Sequence, residues 1–140
     1  MDLYTPEVFI SEDQIKARVK TLGLQITKDY ANEELVVICV LKGAFMFCSD
    51  LVKQVNLPLT LDFMSCSSYG DETQSSGEVK INMDISSTID GKHVLIVEDI
   101  VDTGLTIKAI NEVLKIRNPK CLKRAFLLYI PTNLKHDVKI

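Results

Sequence analysis

The sequence lacks the long apolar run, the leader and the basic block that would place the protein in a membrane, in secretion or on nucleic acid. No apolar stretch approaches the roughly 20 residues that cross a bilayer, and residues 1–6 carry no basic stretch leading into an apolar one. The 16 lysines and arginines stand against 19 acidic residues, for a formal net charge of −3, without a basic cluster. We therefore predict a cytoplasmic protein whose partners include neither a membrane nor nucleic acid.

The cysteines form no CxxC pair, which disfavours a structural metal site or a redox-active pair. Three of the four lie inside apolar runs, where a reduced cysteine acts as a small hydrophobic side chain. Their positions are Cys39, Cys48, Cys66 and Cys121. This usage agrees with a reducing compartment.

Glycine is scarce, and its spacing excludes two common phosphate-binding motifs. The six glycines lie at positions 23, 43, 70, 77, 91 and 104. Neither the GxGxxG of dinucleotide-binding domains nor the GxxxxGK of P-loop NTPases can be built from them. A phosphate bound by this chain would need a different motif.

The apolar residues recur in patterns that predict alternating strands and helices. Ser11 and Gln14 form a capping box before an amphipathic helix that extends to Tyr30. Leu35–Leu41 is short and continuously apolar, which is typical of a strand covered on both faces. The other predicted strands are Leu59–Ser67, Val79–Met83, His93–Val97 and Cys121–Leu128, and the other predicted helices are Ala44–Val55 and Thr106–Arg117. We predict one α/β domain over residues 1–140, with a mainly parallel sheet flanked by helices.

A polar stretch between two predicted strands, Ser67–Glu78, has no periodic apolar pattern. It contains Gly70 and Gly77. A loop of this length without a core of its own is usually either functional or disordered. Both interpretations stay open on composition alone.

The residues that carry chemistry follow the strand His93–Val97. In parallel sheets, ligands bind at the carboxyl ends of strands, and this strand is expected to end at Glu98 and Asp99. Residues 102–106 then supply hydroxyls, a glycine and free amides that lead into a helix N-terminus, which favours a bound anion. Two carboxylates beside an anion site suit a polyol or a divalent cation. The alternative is a pair of solvated loop acids.

Residues 94–106, VLIVEDIVDTGLT, resemble the phosphoribosyl-pyrophosphate signature of type I phosphoribosyltransferases. Two further segments, Leu41–Phe45 and Ser67–Gly77, resemble the hypoxanthine-guanine branch of that family and occur in the same order. The resemblance implies a mainly parallel twisted sheet flanked by helices, with a flexible lid loop. The lid would be the polar stretch Ser67–Glu78.

The resemblance also implies roles for the acidic residues. Glu98 and Asp99 would bind the ribose hydroxyls and support magnesium as Mg²⁺. Asp102 would be the general base that manages the proton at purine N7. Three carboxylates this close repel one another, so cation and substrate would relieve the repulsion.

Further matching residues would hold the phosphates. In the family, the 5′-phosphate lies against the loop that follows the acidic pair, which here is Thr103, Gly104, Leu105 and Thr106. Pyrophosphate is held by a turn at another strand's end, often across a cis peptide, and by the lid. The matching residues are Lys42 and Gly43 in the turn, and Ser68 and Tyr69 in the lid.

The match weakens toward the carboxyl end of the chain. Ile130 stands where the family normally has a lysine that donates to the purine 6-oxo group, and Lys135 lies five residues later. Family members usually continue with a segment that stacks an aromatic residue on the base. We therefore expect the C-terminal part of the domain to be missing from residues 1–140.

The resemblance implies an enzyme of purine salvage in the hypoxanthine-guanine branch. Such an enzyme transfers the 5-phosphoribosyl group from phosphoribosyl pyrophosphate to a 6-oxopurine, giving IMP or GMP and pyrophosphate. The alternative is a non-catalytic regulatory domain of the same fold that binds phosphoribosyl pyrophosphate or a nucleotide. Members of the family are dimers or tetramers, so a homo-oligomer is expected by analogy.

Overall fold

A computed structural model describes residues 11–68, 79–101 and 105–129; for residues 68, 101, 128 and 129 it describes the backbone alone. The stretch predicted as a lid lies largely outside these residues. None of the described helices is long and apolar enough to span a bilayer. In chain order the described elements are α1 (Glu12–Asp29), β1 (Leu35–Leu41), α2 (Phe45–Lys53), β2 (Leu59–Ser68), β3 (Val79–Met83), β4 (His93–Val101), α3 (Leu105–Lys115) and β5 (Cys121–Tyr129).

The described strands form one sheet in the order β3-β2-β1-β4-β5. β1 lies at the centre and pairs in parallel with β2 and β4, and β4 pairs in parallel with β5. At one edge, β3 is antiparallel to β2. The prediction of a mainly parallel α/β sheet flanked by helices is confirmed.

The central strand β1 is buried on both faces, as its continuous apolar run predicts. Val37 and Cys39 point to the face on which α1 and α2 pack, and Val36 and Ile38 point to the face on which α3 packs. Each of these side chains is at most 2% exposed. The period of two along the strand therefore divides its residues between two layers of core.

Helix α1 begins with the predicted capping box. The Ser11 hydroxyl accepts a hydrogen bond from the Gln14 amide at 3.1 Å, and the Gln14 side-chain oxygen accepts one from the Ser11 amide at 2.8 Å. The helix approaches the end of α2 closely at Gly23, where an added Cβ would lie 2.7 Å from the Gln54 carbonyl oxygen. Glycine is therefore needed for this helix contact.

Strand β4 is longer than predicted. β1 pairs with it only as far as Val97, but β5 continues the pairing to Val101. Glu98 and Asp99 therefore lie within the strand, and the expectation that the strand ends at Val97 is wrong. Apolar periodicity marks where a strand is buried, whereas its end depends on which neighbouring strand still supplies hydrogen bonds.

A buried carboxylate ties β2 to the segment that follows β3. Asp62 is 8% exposed, and its oxygens accept hydrogen bonds from the amides of Phe63 at 2.8 Å, Ser86 at 3.0 Å and Ser87 at 2.7 Å. Burial by itself raises the pKa of Asp62, but the bonds from these amides and from the Ser87 side chain more than offset it. The pKa therefore lies below its ordinary value.

Replacing Asp62 by alanine should lower the free energy of unfolding by about 1–3 kcal/mol, because three amides lose their acceptor. In the wild type this contribution is present above the pKa of an unfolded aspartate, about 4. It is lost as the pH falls through the lower pKa of the folded state. Urea unfolding at neutral and acidic pH measures both effects. Glu112→Gln, at an exposed position of α3, is the control, and an equal loss in both variants would contradict the assignment.

Candidate active site

The carboxyl ends of the central strands meet at one edge of the sheet. β1 pairs with β2 up to Leu41 and with β4 up to Val97, in parallel on both sides. The turn Lys42–Ala44 that leaves β1 therefore comes to the same edge as Glu98 and Asp99 of β4. In parallel sheets this is the edge at which ligands bind.

The turn after β1 contacts the carboxyl group of Asp99. A Cβ placed on Gly43 would lie 3.2 Å from both Asp99 carboxylate oxygens, so glycine leaves room for this carboxylate. The Ile100 amide donates a hydrogen bond to Asp99 Oδ1 at 2.8 Å. The peptide bond Leu41–Lys42 is cis, as the family resemblance implies. Two distant parts of the sequence, the Lys42-Gly43 turn and the acidic pair, are thus brought together.

The Glu98 carboxyl group is held in an environment that disfavours its charge. Burial is the largest cause, followed by a hydrogen bond with the Asp99 carboxyl group, and together they raise the pKa of Glu98 to about 8. The charges of Asp99 and Cys39 act in the same direction, while the Asp99 amide, which donates to Glu98 Oε1 at 3.1 Å, acts against them. Without a bound ligand, Glu98 is therefore largely protonated at neutral pH.

Cysteine thiols border the acidic pair, and sequence reasoning missed them. Cys39 lies level with Val97 in the paired strands. Its thiol hydrogen-bonds with that of Cys48, which lowers the pKa of Cys39 and, with burial, raises the pKa of Cys48. Burial and then the charge of Glu98 raise the pKa of Cys66 on β2. Cys39 could have been predicted near the acidic pair, because two parallel strands, Leu35–Leu41 and His93–Val97, end at the same edge of a sheet.

The remaining predicted site residues are divided between described and undescribed parts of the chain. Leu105, partly buried, and Thr106, exposed, open α3. His93 lies at the opposite end of β4, with Nε2 3.3 Å from Glu33 Oε2, and is therefore remote from the acidic pair. Predictions for the following fall outside the described residues: Asp102, Thr103, Gly104, Tyr69, Ile130, Lys135 and the side chain of Ser68.

The chain matches the phosphoribosyl transferase domain family over residues 11–140. It belongs to this family. A hypoxanthine-guanine phosphoribosyltransferase of Dictyostelium discoideum is 51% identical over 138 residues, covering 96% of this chain and 77% of the relative. A hypoxanthine-guanine phosphoribosyltransferase of Bacillus subtilis is 44% identical over 133 residues, which cover 95% of this chain and 74% of the relative. A hypoxanthine phosphoribosyltransferase crystal structure from Staphylococcus aureus has a TM-score of 0.91 at 45% identity, covering 95% of this chain and 72% of that one.

These comparisons confirm the predicted family, its hypoxanthine-guanine branch and the fold class. The enzyme class, a transferase of pentosyl groups, is confirmed with them. The relatives give no support to the alternative of a non-catalytic regulatory domain. The chain spans about three quarters of the length of these relatives.

Replacing Gly43 by alanine should reduce kcat/KM about 10- to 100-fold, because the new methyl group displaces the Asp99 carboxylate by a few tenths of an ångström. Steady-state kinetics of nucleotide formation measures the effect. Gly91→Ala is the matched control: Gly91 has a φ of +72° and nothing within 4 Å of an added Cβ. It should lose stability through strain and keep its kcat/KM. Full activity in Gly43→Ala would refute the role of this contact.

The raised pKa of Glu98 predicts how stability depends on pH in protein kept free of divalent cations by a chelator. Between pH 4.5, the ordinary pKa of glutamate, and a pH of about 8, the pKa of Glu98 in the folded protein, the Glu98 carboxyl group is protonated in the folded state and ionised in the unfolded state. The free energy of unfolding should therefore fall with rising pH, by at most about 1.4 kcal/mol per pH unit for one proton, and level off above pH 8. Glu98→Gln should flatten that slope in urea unfolding curves. An unchanged slope would show that Glu98 is not its source.

Proposed function

We propose that the chain acts in purine salvage as a hypoxanthine-guanine phosphoribosyltransferase. It transfers the 5-phosphoribosyl group of phosphoribosyl pyrophosphate to a 6-oxopurine, giving IMP or GMP and releasing pyrophosphate. The observation that carries the proposal is the contact between the Gly43 turn and the Asp99 carboxylate at the carboxyl edge of the sheet. The names of the relatives, which act on hypoxanthine and guanine, support it.

Glu98 and Asp99 are the proposed partners of the ribose hydroxyls and of Mg²⁺. Carboxylate oxygens are the protein ligands that Mg²⁺ takes, usually one or two of them together with substrate phosphates. The environment of Glu98 fits such a ligand, because the proton of this carboxyl group is held mainly by burial and by its acidic neighbour Asp99. When bound, Mg²⁺ would neutralise charge on the departing pyrophosphate.

The start of α3 is the proposed site of the 5′-phosphate. The first amides of a helix have no partner within the helix, and the helix dipole favours an anion beside them. Leu105 and Thr106 open a helix of 11 residues directly after β4, which supports this role. We assign Thr103 and Gly104 to the same cradle on the strength of the family pattern.

Pyrophosphate is assigned to the turn after β1 and to the lid. Lys42 is exposed and offers an ammonium group, and Gly43 beside it is exposed as well. Ser68 and Tyr69 complete this assignment by the family pattern. Closure of the lid over the ribose would exclude water from an oxocarbenium-like transition state.

Asp102 is the proposed general base. The purine nitrogen attacks ribose C1 as the bond from C1 to pyrophosphate breaks, and the proton at purine N7 passes to the Asp102 carboxylate. Asp102 follows Val101, the last residue of β4, so a strand paired with β5 leads directly to it.

Solution behaviour is part of the same proposal. We assign the enzyme to the cytoplasm and to a homo-oligomer, a dimer or tetramer, without membrane or nucleic-acid partners. A structure of the Trypanosoma cruzi relative, 35% identical with a TM-score of 0.89, concerns the role of the C-terminal region in oligomeric state and enzymatic activity. That relative supports treating oligomeric state as a property of this family.

Asp102→Asn should lower kcat about 10²- to 10⁴-fold, as expected for loss of a general base, and leave binding of Mg²⁺ with phosphoribosyl pyrophosphate largely intact. Product assays with hypoxanthine and guanine measure the first effect and titration calorimetry the second. Asp90→Asn, exposed in the turn before β4, is the control and should keep wild-type kcat. Unchanged turnover in Asp102→Asn would refute the base assignment. If the wild type bound phosphoribosyl pyrophosphate tightly with Mg²⁺ but formed neither nucleotide nor pyrophosphate, the proposed enzymatic activity would be refuted.

A further inference from the structure

A cavity of about 510 Å³ lies between α3 and the first half of β5. We call it the α3–β5 cavity; its lining comes from α3, from the turn that follows α3 and from β5, between positions 107 and 124. Arg124, the lining residue furthest along β5, is level with Ile96 of β4, so the cavity lies short of the sheet edge that carries the acidic pair. Pockets for small molecules typically measure about 300–1,000 Å³. The α3–β5 cavity is therefore large enough for a ligand of its own.

The lining of the α3–β5 cavity has an excess of positive charge. Of the ten described residues that line it, four are cationic and none is acidic. The cationic residues are Lys108, Lys115, Lys120 and Arg124. The protein as a whole has a net charge of −3, so this concentration of positive charge is a local feature. A cleft lined by charges of one sign attracts ions of the opposite sign, and this cavity therefore favours an anionic ligand.

Arg124 is the partly buried member of the cationic group. It alternates along β5 with Leu122 and Phe126, which pack in the core layer on the α3 side of the sheet. The Arg124 guanidinium donates a hydrogen bond through Nη1 to Asn111 Oδ1 of α3 at 2.6 Å. Burial lowers the pKa of Arg124, because desolvation disfavours the charged form. The bond to Asn111 orients the guanidinium at the wall of the cavity, but a neutral amide does not offset its charge.

Two of the lysines are exposed at the end of α3 and the start of β5. Lys115 is the last residue of α3 and Lys120 directly precedes β5. Within the part of the chain that the structure describes, neither ammonium group forms an ion pair with a carboxylate. Asp90 is the acidic residue that contacts the lining, since Asn118 Nδ2 donates to Asp90 Oδ1 at 2.6 Å. One carboxylate offsets at most one of the four positive charges, so the excess remains.

Apolar side chains form another part of the lining. Ile107 is buried, and Leu122 and Pro119 are partly buried. Ile107 and Leu122 also belong to the core layer on the α3 side, so the sheet and the helix hold them in place. Ligand pockets commonly combine an apolar wall with a few polar or charged groups that fix the orientation of the ligand. The α3–β5 cavity has both parts.

We infer that the α3–β5 cavity binds a small organic polyphosphate, which is a molecule with two or more phosphate groups on a body with an apolar face. Arg124 binds a phosphate through its planar fork of donors, and the lysines bind as point charges. The apolar body packs on Ile107 and Leu122. More than one phosphate is required because the cationic side chains are spread from α3 to the start of β5. The inference is independent of the proposed reaction, since it uses none of the residues assigned to that reaction.

Titration calorimetry of the full chain with ATP, without divalent cations and at about 0.15 M salt, tests the inference. The wild type should bind ATP saturably. The double variant Lys115→Gln with Lys120→Gln should raise the Kd roughly 10-fold or more, because charge-assisted hydrogen bonds to phosphate are lost. Lys20→Gln with Lys28→Gln is the matched control. It removes the same charge at exposed positions of α1, which packs on the other face of the sheet, and it should leave the Kd unchanged.

NMR spectra recorded during the same titration locate the bound ATP. The side-chain signals of Asn111 and Arg124 should shift with the Kd found by calorimetry. Shifts that affect the Gly43 amide and leave these two signals unchanged would place ATP in the candidate active site and overturn the inference. Inorganic triphosphate should bind more weakly than ATP, because it lacks the body that packs on the apolar wall.

Three further results would contradict the inference. If the wild type bound ATP without saturation or not at all, the α3–β5 cavity would not be a polyphosphate site. If the two double variants weakened binding equally, the attraction would come from overall charge and not from the cavity. If inorganic triphosphate bound as tightly as ATP, the ligand would not be an organic polyphosphate. Circular dichroism checks that each variant is folded.

Discussion

Burial of β1 on both faces is the constraint on which the rest of the structure depends. β1 is covered by helices on both faces and paired on both edges, and both of its partner strands run parallel to it. Parallel pairing brings the carboxyl ends of β1 and β4 to one edge of the sheet. The Gly43 turn and Asp99 meet there as a direct consequence, although they are far apart in the sequence.

The acidic pair gains its chemical character from its place in β4. Beyond Val97 the strand is supported by β5 and no longer by β1, so the pair lies at the boundary between the core and the site. Burial at this boundary and the neighbouring carboxyl group keep the Glu98 proton in place. A ligand that offers positive charge or hydroxyl groups would relieve this unfavourable environment.

Several elements could be predicted closely because their causes are local. β1 and β3 have the predicted bounds, and the capping box starts α1 as expected, since apolar alternation and a three-residue cap are contained in short windows. The end of β4 could not be predicted in this way, because its last residues depend on pairing with β5. The exposure of Phe63 could not be predicted either, since it depends on where α2 packs.

The sequence by itself determined the order of strands and helices, the family, and the residue types available to the site: an acidic pair, a glycine turn and a helix start. Tertiary structure alone decided that Gly43 faces Asp99, that the pKa of Glu98 is raised, and that Leu61 and Phe63 of β2 are exposed among the described residues. The physical reason is the distance along the chain over which each interaction acts. Helix capping and apolar periodicity act between neighbours in the chain, whereas desolvation and close approach depend on which distant segments the fold packs together.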